Sequence, residues 1–206
     1  MINIKKTVGL MGVNCYILGD TDEVFVVDPG SNAKDILKTI EESNLKIKYV
    51  ILTHCHFDHI LAVEELLSLT DAKLVACLSE KENLLRSDIN YTDRYSRKPL
   101  EISADIYVND GDIIRSGDYE FEVIETPGHT SGSMCLYCNE EKLLISGDTL
   151  FHLSVGRCDL ATGDEATLLK SIKSKLFVLP DEVYVLPGHG DNTTIGFEKT
   201  NNPFIF

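Results

Sequence analysis

Within Leu52-Thr53-His54-Cys55-His56-Phe57-Asp58-His59, three imidazoles and a carboxylate follow directly on the apolar run Tyr49-Val50-Ile51-Leu52. Imidazole nitrogen and carboxylate oxygen are donors suited to zinc and iron. In near-extended backbone, residues two apart project to the same side, so His54 and His56 can chelate one ion. The chain then turns toward a helix and directs Asp58 and His59 at a neighbouring ion. Two more histidines stand in Pro-Gly turns after apolar runs, His129 in Thr126-Pro127-Gly128-His129-Thr130 and His189 in Pro187-Gly188-His189-Gly190. Proline fixes the chain and glycine permits a sharp turn, which presents each imidazole from the rim of a rigid sheet. Two cations about 3.5 to 4 Å apart repel each other unless anionic oxygens lie between them. Asp148, at the end of Leu143-Leu144-Ile145-Ser146-Gly147, is the candidate for that bridging position.

The elements that must position these groups show in the hydropathy pattern. Apolar runs predict strands near 13–19, 23–28, 47–52, 73–77, 119–126, 133–138, 142–146 and 182–186. Helical spacing is found in Ala33 to Ser43, Ile60 to Leu69 and Glu165 to Leu176. Lys5 and Lys6 before the stretch Val8 to Leu18 imitate a secretory signal, but Gly9, Gly12, Asn14 and Tyr16 interrupt it, and it reads as a first strand. Helices separating strands, followed by a long meander, predict an α+β fold of face-to-face sheets with helices outside, in one domain over 1–206. Residues 86–101 carry neither period and read as a long surface loop or lid.

The chain has 206 residues, and 19 Lys and Arg against 33 Asp and Glu give a formal charge of −14. That balance removes the basic footprint of nucleic-acid binding, and no apolar run is long enough to span a bilayer. The expected partner is therefore a small molecule, with neither nucleic acid nor membrane, and the chain is expected to be a monomer or small homo-oligomer. The six cysteines need not staple a chain of this size, which predicts reduced thiols and a cytoplasmic location. Cys135 and Cys138 form a CxxC, but three apart on a strand they face opposite sides and read as structural. Cys55, between two same-side histidines, should point away from the metal. His152 lies outside the ligand pattern and reads as a loop residue or a support for a ligand.

Together, HxHxDH over 54–59, Gly128-His129, Gly147-Asp148-Thr149 and Pro187-Gly188-His189-Gly190 resemble the metallo-β-lactamase fold superfamily. Asn14-Cys15-Tyr16-Ile17-Leu18 and Val27-Asp28-Pro29-Gly30 extend the likeness over nearly the whole chain, which is most similar to glyoxalase II-like hydrolases. The resemblance implies a four-layer αββα sandwich with metals at the sheet rim. It implies that His54, His56 and His129 hold one ion and Asp58, His59 and His189 a second, with Asp148 bridging them. Two divalent ions are expected, zinc foremost, with iron or a mixed iron and zinc pair as alternatives. Gly147-Asp148-Thr149-Leu150-Phe151 through Val155-Gly156-Arg157-Cys158-Asp159-Leu160 looks like the loop by which such enzymes meet a glutathione conjugate. Arg157 could there bind a substrate carboxylate, or instead pair with Asp159. Full-length glyoxalase II carries a C-terminal helical domain that supplies part of its glutathione site. Only 17 residues follow His189 here, so the likeness is to short members without that domain.

These residues predict a metal-dependent hydrolase. Two divalent ions outweigh the carboxylates and a bridging hydroxide, which leaves a positive pocket on an acidic protein. Metal-bound water loses its proton near neutrality instead of near pH 15.7, so no protein nucleophile is needed. The hydroxide attacks a carbonyl, a metal stabilises the oxyanion, and Asp58 orients the nucleophile. A leaving amine must be protonated, whereas a thiolate, with a parent pKa near about 8.5, departs alone. No general acid stands out, which favours a thioester over an amide or β-lactam. One alternative is a mononuclear-iron persulfide dioxygenase using His54, His129 and Asp148, and lactonase or other ester hydrolysis is another. A flavodiiron-type reductase would place a carboxylate where His56 stands. Structural zinc would favour a closed, thiolate-rich set.

Overall fold

In the computed structural model, which describes residues 1–205, Tyr16, Leu18, Phe25 and Val27 turn to one side of their strands and Ile17, Val24 and Val26 to the other. Both sides are buried, so these strands read as unbroken apolar runs instead of alternating ones. The first sheet runs in order through β1 (Ile2–Val8), β2 (Val13–Gly19), β3 (Glu23–Val27), β4 (Lys46–Leu52), β5 (Lys73–Cys77) and β6 (Ile106–Val108). Pairing is antiparallel from β1 to β3 and parallel from β3 to β6. The second half of the chain contributes β7 (Ile113–Ser116), β8 (Tyr119–Glu125), β9 (Met134–Cys138), β10 (Leu143–Gly147), the small hairpin β11 (Leu150–Phe151) and β12 (Ser154–Val155), then β13 (Tyr184–Pro187) and β14 (Thr193–Thr194). Its sheet has the order β14-β13-β10-β9-β8-β7, with β10 and β13 parallel.

Three apolar layers hold the sheets and helices together. Between the sheets, Phe25, Ile51 and Val75 meet Phe121, Leu136 and Ile145. Helices α1 (Ala33–Glu42), α2 (Phe57–Ile60) and α3 (Val63–Leu69) lie along the first sheet, where Ile36, Ile60 and Leu66 cover its outer face. The small helices α4 (Lys81–Leu84) and α5 (Thr92–Tyr95) follow, and α6 (Glu165–Ser171) covers the second sheet through Leu168. A π turn over Ile172–Leu176 and α7 (Ile195–Asn201) complete that layer through Ile172 and Ile195. This is the αββα sandwich expected from the sequence. Cys135 packs outward and Cys138 between the sheets, as their spacing requires. Among the described residues, no helix is long and apolar enough to cross a membrane.

Three readings need correction. The stretch Val8 to Leu18 is not one strand: Gly9 and Gly12, both at positive φ, turn the chain between β1 and β2. The helix expected from Ile60 is broken, because the Ala62 amide donates to the carbonyl of Pro29, and a separate helical turn, α2, carries Asp58 and His59. Residues 86–101 are more ordered than a plain loop. Buried Asn90 donates to the carbonyls of Leu84 and Leu100 and accepts from Thr92, which ties the segment down around α5.

Candidate metal centre

All seven predicted ligands lie just past strand ends on one rim. His54, His56, Asp58 and His59 follow β4, His129 follows β8, Asp148 follows β10 and His189 follows β13. A register shift between β10 and β13 falls at Gly147, where such an irregularity re-aims the next side chain, Asp148. The turn bearing His189 is clamped from the other sheet. Asn14 Nδ2 and Tyr16 Oη both donate to the carbonyl of Pro187, at 2.9 and 2.8 Å.

Besides Asp28 with His54 and His59, which shares a histidine with each, two groups of potential donors form there, His54 with His56 and His129, and Asp58 with His59 and His189, each with its donor atoms within 4.8 Å of one another. Asp148 stands between them. Its Oδ2 is 3.6 Å from His129 Nε2 and 3.5 Å from His189 Nε2, and its Oδ1 is 3.4 Å from His59 Nε2. The approach of the main chain depends on Gly188, where a Cβ would overlap Asp148 Oδ1 and come within 2.9 Å of His59 Cε1.

Hydrogen bonds on the far side of the rings determine which nitrogen His54, His59 and His129 turn inward. His59 Nδ1 lies 2.9 Å from the Asp28 carboxylate and His129 Nδ1 2.7 Å from the Arg157 carbonyl. Both partners accept, so both Nδ1 atoms carry a proton and both Nε2 atoms are turned toward the site, where each can take a metal ion or, as at His59, a second proton. Thr53 Oγ1 donates to Asp28 and therefore accepts from His54 Nδ1 at 3.1 Å, which frees His54 Nε2 in the same way. His56 presents Nδ1, 2.9 Å from His129 Nε2. His59 Nε2 and Asp148 Oδ1 are buried without a hydrogen-bond partner. Lone pairs converging on one another repel unless a cation lies between them, so the orphaned atoms and the His and Asp donor set fit divalent metal ions.

The charges divide the site into two halves. Burial, then the neighbouring His129 and His59, pushes His56 down to about 3. Burial and four nearby imidazoles hold His54 well below its ordinary value. Burial opposes protonation of His59 too, but Asp148, Asp28 and Asp58 outweigh it and raise the group to about 10. Asp58, despite burial, is held well below the usual carboxylate range by His59 and His189. His54 and His56 thus keep their lone pairs free of protons, while His59 attracts positive charge.

A cleft of about 540 Å³ opens over the site, lined among others by Met11, Phe57, Tyr91, Arg94, Tyr95, Phe151 and Arg157. Arg157 borders it, but both its Nε and Nη2 lie 2.7 Å from the Asp159 carboxylate, the second of its two readings. Exposed His152 packs on Phe197, 5.2 Å between ring centroids, and does not join the donors. Cys55 is buried in the core, as expected.

Three supporting residues escaped the sequence reading. Asp28, in the Val27-Asp28-Pro29-Gly30 motif, accepts from His59 and from both Thr53 groups. Thr53 relays that contact to His54. Buried Glu80 accepts from the Cys55 amide and the Thr130 hydroxyl, both at 2.8 Å, and so braces two ligand loops. Asp28 had a visible signal, a carboxylate at a strand end before Pro-Gly, whereas Glu80 had none.

Residues 8–189 match the family described as the Metallo-beta-lactamase superfamily. The chain is 36% identical to "Probable metallo-hydrolase YqgX" of Bacillus subtilis, covering 98% of this chain and 96% of that one. It is 33% identical to hydroxyacylglutathione hydrolase GloC of Haemophilus influenzae, covering 93% and 92%. Among solved structures, the BLEG-1 B3 metallo-beta-lactamase superposes with a TM-score of 0.92 at 34% identity, covering 99% of each chain. TTHA1623 in a di-iron-bound form superposes at 0.88 with 30% identity, covering 98% and 99%.

Proposed function

The chain belongs to the metallo-beta-lactamase superfamily, and we propose that it is a dinuclear metal-dependent hydrolase of thioesters whose leaving group is glutathione or a related thiol. The observation that carries this reading is the placement of Asp148 between two three-residue donor groups whose nitrogens turn inward. His54, His56 and His129 would hold one ion, Asp58, His59 and His189 the other, and Asp148 would touch both. Such ions, zinc in our reading, supply a water whose pKa falls to about 7 and a Lewis acid for the developing oxyanion.

The chain's own groups do the rest. Asp58 Oδ2, 3.3 Å from His189 Nε2 at the cleft floor, accepts a hydrogen bond from the attacking water and aims it. Met11, Phe57, Tyr95 and Phe151 wall the cleft with apolar surface and limit bulk water. The described lining residues include no lysine. A leaving group that departs without a proton suits this cleft, which favours a thiolate over an amine. The likeness to the hydroxyacylglutathione hydrolase supports the same choice.

Metal quantification on native protein, followed by a thioester, lactone and persulfide panel, tests the reading. Two divalent ions per chain with thioester hydrolysis are expected, and Asp58→Ala should lower kcat about 100-fold or more. A single iron with oxygen uptake on glutathione persulfide would replace this reading with a dioxygenase built on His54, His129 and Asp148. Full thioesterase turnover by Asp58→Ala would remove Asp58 from the mechanism.

A further inference from the structure

Two cationic side chains other than histidine line the cleft, Arg94 and Arg157. They are not equivalent. The Arg157 guanidinium is already held by the Asp159 carboxylate through two bonds of 2.7 Å. Of the other cations on the 86–101 segment, Arg86 pairs with Asp88 at 2.6 Å and Lys98 with Glu64 at 3.5 Å, and Arg97 is exposed outside the cleft lining. Among the described residues, Arg94 has no ion-pair partner, and its guanidinium carbon lies 5.3 Å from the centre of the Tyr91 ring.

The platform beneath Arg94 is built. Tyr91 is fixed at its tip by the Ala161 amide, 2.7 Å from its hydroxyl, and its ring lies 5.6 Å from that of His56. Asn90 and Thr92 on either side are buried and hydrogen-bonded to each other and to the carbonyl of Leu100. Tyr95, one residue on, stacks on Phe57 at 4.3 Å between centroids. The segment therefore presents, beside the donor groups, an apolar wall and a planar cation without an ion-pair partner among the described residues. On a chain of formal charge −14, the net field disfavours an anionic ligand, and a cation beside the donor groups offsets it locally. Guanidinium binds carboxylate through two parallel hydrogen bonds, and stacking on an aromatic face costs it little freedom.

Resting on the thioesterase reading, we infer that Arg94, and not Arg157, is the specificity-determining residue that selects thioesters whose thiol carries a carboxylate. The acyl group faces the donor groups, the thiol's apolar stem lies against Tyr95 and Phe57, and its carboxylate pairs with Arg94.

The test compares S-lactoylglutathione with S-lactoyl-N-acetylcysteamine, the same acyl group on an uncharged thiol, using metal-loaded protein. Arg94→Ala should raise KM for the glutathione thioester about tenfold with kcat held, leave the uncharged thioester unchanged, and be partly rescued by Arg94→Lys. Arg97→Ala, which removes an exposed charge from the same segment outside the cleft, should do neither. Equal effects on both thioesters, no effect, the same effect from Arg97→Ala, or a KM effect carried by Arg157→Ala instead would overturn the inference. Calorimetric binding of glutathione itself separates the two claims. If neither thioester is hydrolysed but Arg94→Ala still weakens glutathione binding about tenfold, the reaction is wrong and carboxylate recognition stands. If the thioester is hydrolysed and glutathione binding ignores Arg94, or is absent, the assignment of Arg94 fails and the thioesterase stands.

Discussion

Replacing Asp28 by Asn isolates the most instructive contact in the protein, because one carboxylate determines the tautomer of a histidine in each donor group. Asp28 is 1% exposed and accepts three hydrogen bonds, from Thr53 N at 2.8 Å, Thr53 Oγ1 at 2.6 Å and His59 Nδ1 at 2.9 Å. Its φ of 52° lies in the left-handed region that Asn tolerates as well as Asp, so the substitution adds no backbone strain. An amide keeps one acceptor oxygen and sets an NH2 group against a donor. If the amide nitrogen faces His59, the ring is driven to carry its proton on Nε2, which can then no longer accept a metal. If it is turned the other way, the Thr53 amide loses its acceptor. A buried charge-assisted bond of this kind contributes about 1.5 to 3 kcal/mol, and removing the hydrogen-bond partner of a metal-binding histidine costs about 10- to 100-fold in affinity. Competition with a chromophoric chelator, read in two steps, should show the ion at Asp58, His59 and His189 weakened by about that factor. The ion at His54, His56 and His129 should lose less, because it feels Asp28 only through Thr53. Circular dichroism checks that the fold is kept. Wild-type affinity at both positions, or equal losses at both, would refute the reasoning that ring orientation is set from behind by Asp28.

Other perturbations separate the site from its scaffold. Gly188→Ala places a Cβ against Asp148 and His59, and a displacement near 1 Å at reacting groups costs about 100-fold in rate, so thioester kcat should fall by that order with the circular dichroism spectrum retained. Removal of metal by a chelator should destabilise the protein by about 4 kcal/mol for each ion present at a thousand times its Kd, a drop of about 8 to 16 °C in Tm per ion by calorimetry. Phe121→Ala, which removes a fully buried ring 5.3 Å from that of Phe25 between the sheets, should cost about 3 to 5 kcal/mol in urea unfolding while leaving the metal content of the remaining folded protein unchanged.

The sequence alone was sufficient for the two-sheet architecture and for picking out the seven His and Asp side chains that folding gathers on one rim, and the reason is local. Strands buried on both faces write themselves as continuous apolar runs, and ligands placed just past strand ends appear as short His, Asp and Gly motifs next to those runs. Alternation of side chains along a strand was enough to separate Cys135 from Cys138 and to turn Cys55 away from His54 and His56. What needed the tertiary structure was every contact between segments distant in the chain. Asp28 and Glu80 each lie 25 residues from the backbone amide they hold, at Thr53 and Cys55, and nothing in their local sequence marks that partner. Residues 86–101 have neither helical nor strand period because buried side-chain bonds from Asn90 and Thr92 order them, and such bonds leave no periodic trace. Arg157 and Arg94 are both basic residues in polar text, and only their surroundings show that the first is paired with Asp159 and the second lies over Tyr91 with no ion-pair partner among the described residues. Ligand identity is a property of local chemistry, whereas ring tautomer, bridging position and the availability of a charge depend on what folding brings up from the other side.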